Sequence, residues 1–208
     1  MGGLPTAALF AYALGFARGR RVLVDTTASP QHEYDWPREW DAEPTELSFY
    51  PWPPASLREL ALSHDAILVC GGNTANMLAV WRVHGFDKIL REAWESGIVL
   101  FGWSAGMICW FEAGVTDSFG AQLAGMDDGL GFLPGSACPH YDGEERRRPT
   151  YQRLVAEGFP SGLALDDAAA ARFAGLDLAE IVSASPGATG YRVEPTGETK
   201  LEARGITQ

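Results

Sequence analysis

Short apolar runs alternate along the chain with stretches of helical spacing, and that alternation predicts a parallel sheet flanked by helices on both faces. Arg21 to Thr27 (RVLVDTT) is an apolar run ending in small polar residues, the pattern of a buried parallel strand meeting a loop. Ala66 to Cys70 (AILVC) and Ile98 to Phe101 (IVLF) repeat the pattern. Helical composition runs through Pro5–Ala17, Ala55–Ser63, Ala75–Val83 and Phe86–Glu95, with Gly19 and Gly97 closing two of these segments. Residues 30–54, rich in proline and tryptophan, predict a loop with one strand around Leu47–Tyr50. Residues 105–112 read as a helix. The Gly- and Asp-rich stretch from Gly114 to Gly143 reads mostly as loop and short strands. Pro149–Glu157 reads as a helix, Leu163–Leu165 as a short strand, and Ile181–Ser183 and Tyr191–Val193 as antiparallel strands. With no repeat, low-complexity tract or linker, one α/β domain over residues 1–208 is expected.

Bulk properties narrow the classes of function. A chain of 208 residues buries a substantial core, and 46% hydrophobic with 21% charged residues is ordinary for a soluble globular protein. The net charge of -11 disfavours nucleic acid and anionic membrane surfaces as partners, and serves solubility. Cys70, Cys109 and Cys138 are odd in number and form neither a secreted disulfide framework nor a zinc-site spacing, so no metal is expected. Ala7–Ala17 is apolar, but Arg18, Arg20 and Arg21 follow it, the reverse of a signal peptide, and it is too short to span a bilayer. A cytoplasmic location is expected.

The strongest chemical signal is Gly102-Trp103-Ser104-Ala105-Gly106. An apolar strand runs into a turn too sharp for bulky flanking residues. Gly102 and Gly106 let the backbone bend, which leaves the Ser104 hydroxyl at the sheet's carboxyl edge. The helix that follows points its free N–H groups at any developing oxyanion. Gly71-Gly72-Asn73-Thr74 is a second strand-to-helix turn opening at the same edge. Its Gly72 amide, with that of Ala105, suits an oxyanion hole, while Asn73 or Thr74 equally suits a plain helix cap. Among four histidines, His140 in Cys138-Pro139-His140-Tyr141-Asp142-Gly143 is the best base, because it lies in a Gly/Pro-bounded loop. His32, His64 and His84 read as surface or capping residues. The orienting acid stays open between Asp117, Asp142, Asp166 and Asp167, with Glu112 about 12 Å up the predicted helix by helical rise.

GGNTANML, GWSAGMICWFEAGVTDSFG and LPGSACPHYDGE occur in order, and on these motifs the chain resembles the peptidase E branch of the peptidase E/cyanophycinase serine-peptidase family. The resemblance implies a three-layer α/β/α fold with a mainly parallel central sheet, like the class I glutamine amidotransferases (flavodoxin-like), with serine in place of their cysteine. It also implies a cofactor-free, usually dimeric peptidase acting on small peptides, whose best-studied members cut dipeptides after an N-terminal aspartate. Carried over by motif, Ser104 is the nucleophile, His140 the base and Asp117 the acid, with Gly72 and Ala105 at the oxyanion hole. Arg146, in Gly143-Glu144-Glu145-Arg146, matches an arginine that binds the substrate's aspartate. Two features depart from the family: Met1-Gly2-Gly3 keeps at most the end of a leading strand and turn, and Met107–Glu112 is bulkier after the serine. The residue preferred at the scissile bond therefore stays open. A different acyl hydrolase, a cyanophycinase-like exopeptidase and a non-catalytic amidotransferase-like binding protein are the alternatives.

Overall fold

The computed structural model describes residues 6–29 and 40–206. Met1–Gly3, His32 and the aromatics Tyr34 and Trp36 lie outside the described residues. A first helix, α1 (Ala7–Leu14), leads into a chain whose contacts cluster in two compact units. One is Phe10–Gly106, and the other is Met1–Leu9 with Met107–Gln208.

In the Phe10–Gly106 unit, β1 (Arg21–Asp25), β2 (Glu43–Leu47), β3 (Ala66–Val69) and β4 (Val99–Gly102) form one sheet in the order β2-β1-β3-β4, every pair parallel. Its helices are α2 (Leu57–Leu62), α3 (Thr74–His84) and α4 (Phe86–Glu95). The uninterrupted apolar runs of β1 and β3 are explained by burial on both faces: Leu23, Ile67 and Leu68 expose nothing. Against them the helices bury Met77, Trp81 and Leu90, each worth roughly 1.5–3 kcal/mol on leaving water. Register places Asp25 opposite Val69, and Val69 opposite Gly102. The three strands thus end in one row, and the loops after them emerge side by side at the carboxyl edge, where α/β sheets bind ligands.

The second unit opens with α5 (Ala105–Ile108), a four-residue helix shared with the end of the first. It continues through β5 (Phe111–Thr116), β6 (Ala124–Met126), β7 (Leu133–Cys138), α6 (Arg147–Ala156) and β8 (Gly162–Leu165). Then come β9 (Ala169–Ala174), β10 (Asp177–Ser183), β11 (Gly190–Glu194), β12 (Gly197–Lys200) and β13 (Ala203–Gly205). Six strands form a sheet in the order β12-β11-β8-β7-β5-β6, parallel at its centre and antiparallel at both sides, and β13-β10-β9 form a smaller one. Val115, Cys138, Tyr151 and Val155 are fully buried in the core between the larger sheet and α6. The architecture is the mixed α/β fold with parallel central strands that the alternation predicts.

Two element predictions change. The helix expected over residues 105–112 stops at Ile108, and Phe111 begins a strand. The aromatic pair Trp110-Phe111 fits a pleated, half-buried surface, and pairing with β7 outweighs continuation of the helix. Glu112 sits where the register of that pair shifts, and its carboxylate accepts from the Gly135 amide at 2.8 Å, so it braces a bulge. The strand expected around Leu47–Tyr50 lies earlier, at Glu43–Leu47. It is a mostly exposed edge strand whose place is set by pairing with β1, and it carries no apolar run.

Candidate active site

Ser104 follows β4 directly, with φ +54. Left-handed backbone costs a non-glycine residue on the order of 1–3 kcal/mol and persists only where the surroundings enforce it. Here the enforcement is visible. A Cβ on Gly106 would lie 2.1 Å from the Val69 carbonyl oxygen, and one on Gly102 would lie 2.4 Å from that oxygen and 2.7 Å from the Gly106 carbonyl. The end of β3, the end of β4 and the start of α5 therefore touch backbone to backbone, and the chain can reverse only through the residue between the glycines. That is the geometry of a nucleophile elbow.

The Gly71–Asn73 turn lies against it. A Cβ on Gly71 would meet the Ser104 Cβ at 3.1 Å and the Trp103 Nε1 at 2.9 Å. Gly72 has φ +138 and abuts the Ala28 carbonyl. The Ser29 hydroxyl donates to the Gly71 carbonyl at 3.0 Å, and the Asn73 amide donates to the Ala28 carbonyl at 2.9 Å. The Asn73 side chain accepts from the Asn76 amide at 2.9 Å, so the helix-cap reading of this turn is realised. The Asn73 amide is thus committed, and the Gly106 amide donates to the Trp103 carbonyl at 2.9 Å.

Beneath this edge sits a group that motif reading assigns no role. Asp25, at the end of β1, is completely buried and accepts from Trp81 Nε1 at 2.7 Å, the Thr27 amide at 3.0 Å and the Thr27 hydroxyl. Burial pushes its carboxyl up to about 6, although these three donors pull it down. Its carbonyl accepts from the Cys70 amide at 3.0 Å, which ties the end of β1 to the start of the Gly71 turn. The one sequence signal was an aspartate closing an apolar strand.

In the other unit, His140 follows β7 with φ +55 and is 8% exposed. Its Nδ1 lies 2.7 Å from Asp167 Oδ1. The two residues are far apart in sequence but follow adjacent parallel strands, Cys138 pairing with Ala164, so their loops leave the same edge. Asp117 is not the acid that meets His140. It is exposed in the turn after β5, where its carbonyl accepts from Gly120 at 3.2 Å. Asp142 bonds the Asp167 amide at 2.8 Å, and Asp166 accepts from the Thr189 amide at 3.0 Å, with burial raising its carboxyl above the usual range. Strand pairing selects Asp167, and no local motif records strand pairing.

The arginine run divides by environment. Arg146 is exposed at the N-cap of α6. Arg147 is 3% exposed, with Nε on Glu144 at 2.7 Å and Nη1 on the Val115 carbonyl at 2.8 Å. Arg148 lies over the rings of Tyr141 and Tyr191 at 5.2 and 4.8 Å and bonds Glu198. Glu198, on β12, also accepts from the Tyr141 hydroxyl at 2.6 Å and Gln152 Nε2 at 2.8 Å. Two other histidines have structural places: His64 Nδ1 is 2.7 Å from the Leu60 carbonyl, and His84 stacks on Phe49 at 5.1 Å. Burial pushes the Cys138 thiol up to about 12, far from nucleophilic use. Among the described residues no His, Cys, Asp and Glu cluster suits a metal ion, and no helix is long and apolar enough to cross a membrane.

The family model of peptidase family S51 matches residues 24–181. The uncharacterized peptidase YgaJ of Bacillus subtilis (strain 168) is 50% identical over 154 residues, covering 74% of this chain and 66% of YgaJ. The chain thus spans just under two thirds of that relative's length. A crystal structure of a candidate peptidase E protein from Listeria monocytogenes EGD-e aligns with a TM-score of 0.56 over 94% of each chain at 16% identity, a likeness of fold alone.

Proposed function

The chain belongs to peptidase family S51, and we propose that it is a serine peptidase hydrolysing small peptides. Ser104 attacks the scissile carbonyl. His140 takes the hydroxyl proton and returns it to the leaving amine, and water then releases the acyl group by the reverse sequence. Asp167 holds Nδ1 of His140, which presents the other ring nitrogen to the reaction and stabilises the imidazolium as it forms. The amides of Gly72 and Ala105 receive the oxyanion. Arg146, the exposed member of its run, is the cation available to an acidic group on the substrate, and a panel of dipeptides with and without N-terminal aspartate reads that preference.

The observation that carries this reading is Ser104 at φ +54 between two glycines that no side chain can replace without a clash. Backbone strain of this kind clusters at functional sites. Ser104→Ala is expected to lower kcat for peptide hydrolysis by about 10³-fold or more while circular dichroism and melting stay as in the wild type. Wild-type turnover by that variant would end the proposal.

A further inference from the structure

The turn that carries Asp167 is held from several sides. The Asp166 amide donates to the Thr189 carbonyl at 2.9 Å, and Thr189 answers through its own amide on Asp166 Oδ2 at 3.0 Å. Ala168, with φ +62, reverses the chain, and its carbonyl accepts from Ala184 at 2.9 Å. These contacts hold the residues on either side of Asp167. The amide of Asp167 itself is held by Asp142 Oδ1 at 2.8 Å, across from the strand pair that brings the two loops together. The next residue, Gly143, leaves room: a Cβ there would lie 2.1 Å from Asp167 Oδ2 and 3.0 Å from its Cγ.

We propose that Asp142 and Gly143 are positioning residues for the His140–Asp167 pair, one anchoring the Asp167 backbone and the other admitting its carboxylate. The inference rests on the reading of Asp167 as the orienting acid. One loop therefore carries three tasks in four residues: His140 supplies the ring, Asp142 grips the main chain of its partner, and Gly143 vacates the space that the partner's second oxygen fills. An ionised acceptor makes a short, strong bond to an amide. A displacement of the order of 1 Å in an orienting group is enough to cost about 10²-fold in rate. Asp142 is exposed, so a smaller loss is expected from its removal.

The test uses the full chain. Asp142→Ala is expected to lower kcat about 10-fold with KM within about threefold, and to shift or abolish the low-field proton resonance of His140 Nδ1–H. Asp142→Asn, whose side-chain oxygen still accepts the Asp167 amide, should recover most of both. Gly143→Ala should lose the resonance outright, and it replaces Asp142→Ala as the deciding variant if the latter fails to fold. An unchanged resonance and unchanged kcat in the deciding variant would overturn the proposal, as would Asp142→Asn behaving no better than Asp142→Ala. If Asp167→Asn is inactive while Asp142→Ala and Gly143→Ala are both normal, only the positioning role falls. If Asp167→Asn is fully active, the underlying catalytic reading falls.

Discussion

The Ser104 turn is held by backbone packed on backbone, whereas the His140 turn is held by carboxylates on amides and an imidazole. In the first, the decisive atoms are those that are missing: no Cβ at Gly102 or Gly106, so that Val69 and the start of α5 close on the serine. In the second, the decisive atoms are the oxygens of Asp142 and Asp167, which reach across from neighbouring loops. Backbone contact is steric and insensitive to pH or salt, and it fails abruptly when filled. A carboxylate clamp can weaken by degrees and tolerates substitution by other acceptors. The serine turn is thus set rigidly, and the histidine turn by adjustable chemistry.

That contrast can be broken at three places, in descending order of effect. Asp167→Asn is expected to lower kcat by about 10²- to 10⁴-fold with little change in melting, while Asp117→Asn stays within about threefold; steady-state kinetics on both variants decide it. Equal losses would mean that the clamp extends to Asp117. Gly106→Ala should cost about 3–4 kcal/mol in urea unfolding, since a methyl group 2.1 Å from a carbonyl oxygen forces the strand and helix apart. A variant that melted like the wild type would show the backbone contact to be soft after all. The third place is Asp25, the buried carboxylate at the end of β1. Its folded value of about 6 lies above the ordinary 3.8, so the folded state holds the proton more tightly. The stability this contributes is full below about pH 4 and is lost as pH rises through 6. Unfolding free energies should therefore show the wild type losing up to about 3 kcal/mol relative to Asp25→Asn between about pH 4 and pH 7. Parallel profiles would remove Asp25 as a titrating element.

The same contrast governs what could be read in the sequence. The Ser104 elbow was legible because its requirements are local: an apolar strand, two glycines two residues either side, and a helix start all lie within one short window. The four parallel strands of that unit were legible for the same reason, except β2, whose polar edge face carries no apolar run. His140 stood out in the sequence by its Gly/Pro-bounded loop. The carboxylate that it meets was not legible, because strand register rather than spacing brings Asp167, and not Asp117, Asp142 or Asp166, to its Nδ1. The helix overrun past Ile108 has a similar cause, since Phe111 becomes a strand residue only by pairing with Leu133. Arg147 shows the remaining gap: three arginines in a row look alike in sequence, and burial with a bond to the Val115 carbonyl separates Arg147 from the exposed Arg146.

The bond from Tyr141 to Glu198 spans 57 positions, and it fastens the residue next to His140 to one of the last strands of the chain. The contacts described around the Ser104 turn come from residues between Ala28 and Gly106, all synthesised before Tyr141. A growing chain therefore holds the residues of the Ser104 turn well before it holds Glu198, and the Tyr141 hydroxyl gains its carboxylate only once β12 has emerged. The order of synthesis alone makes this fastening of the His140 loop a late one.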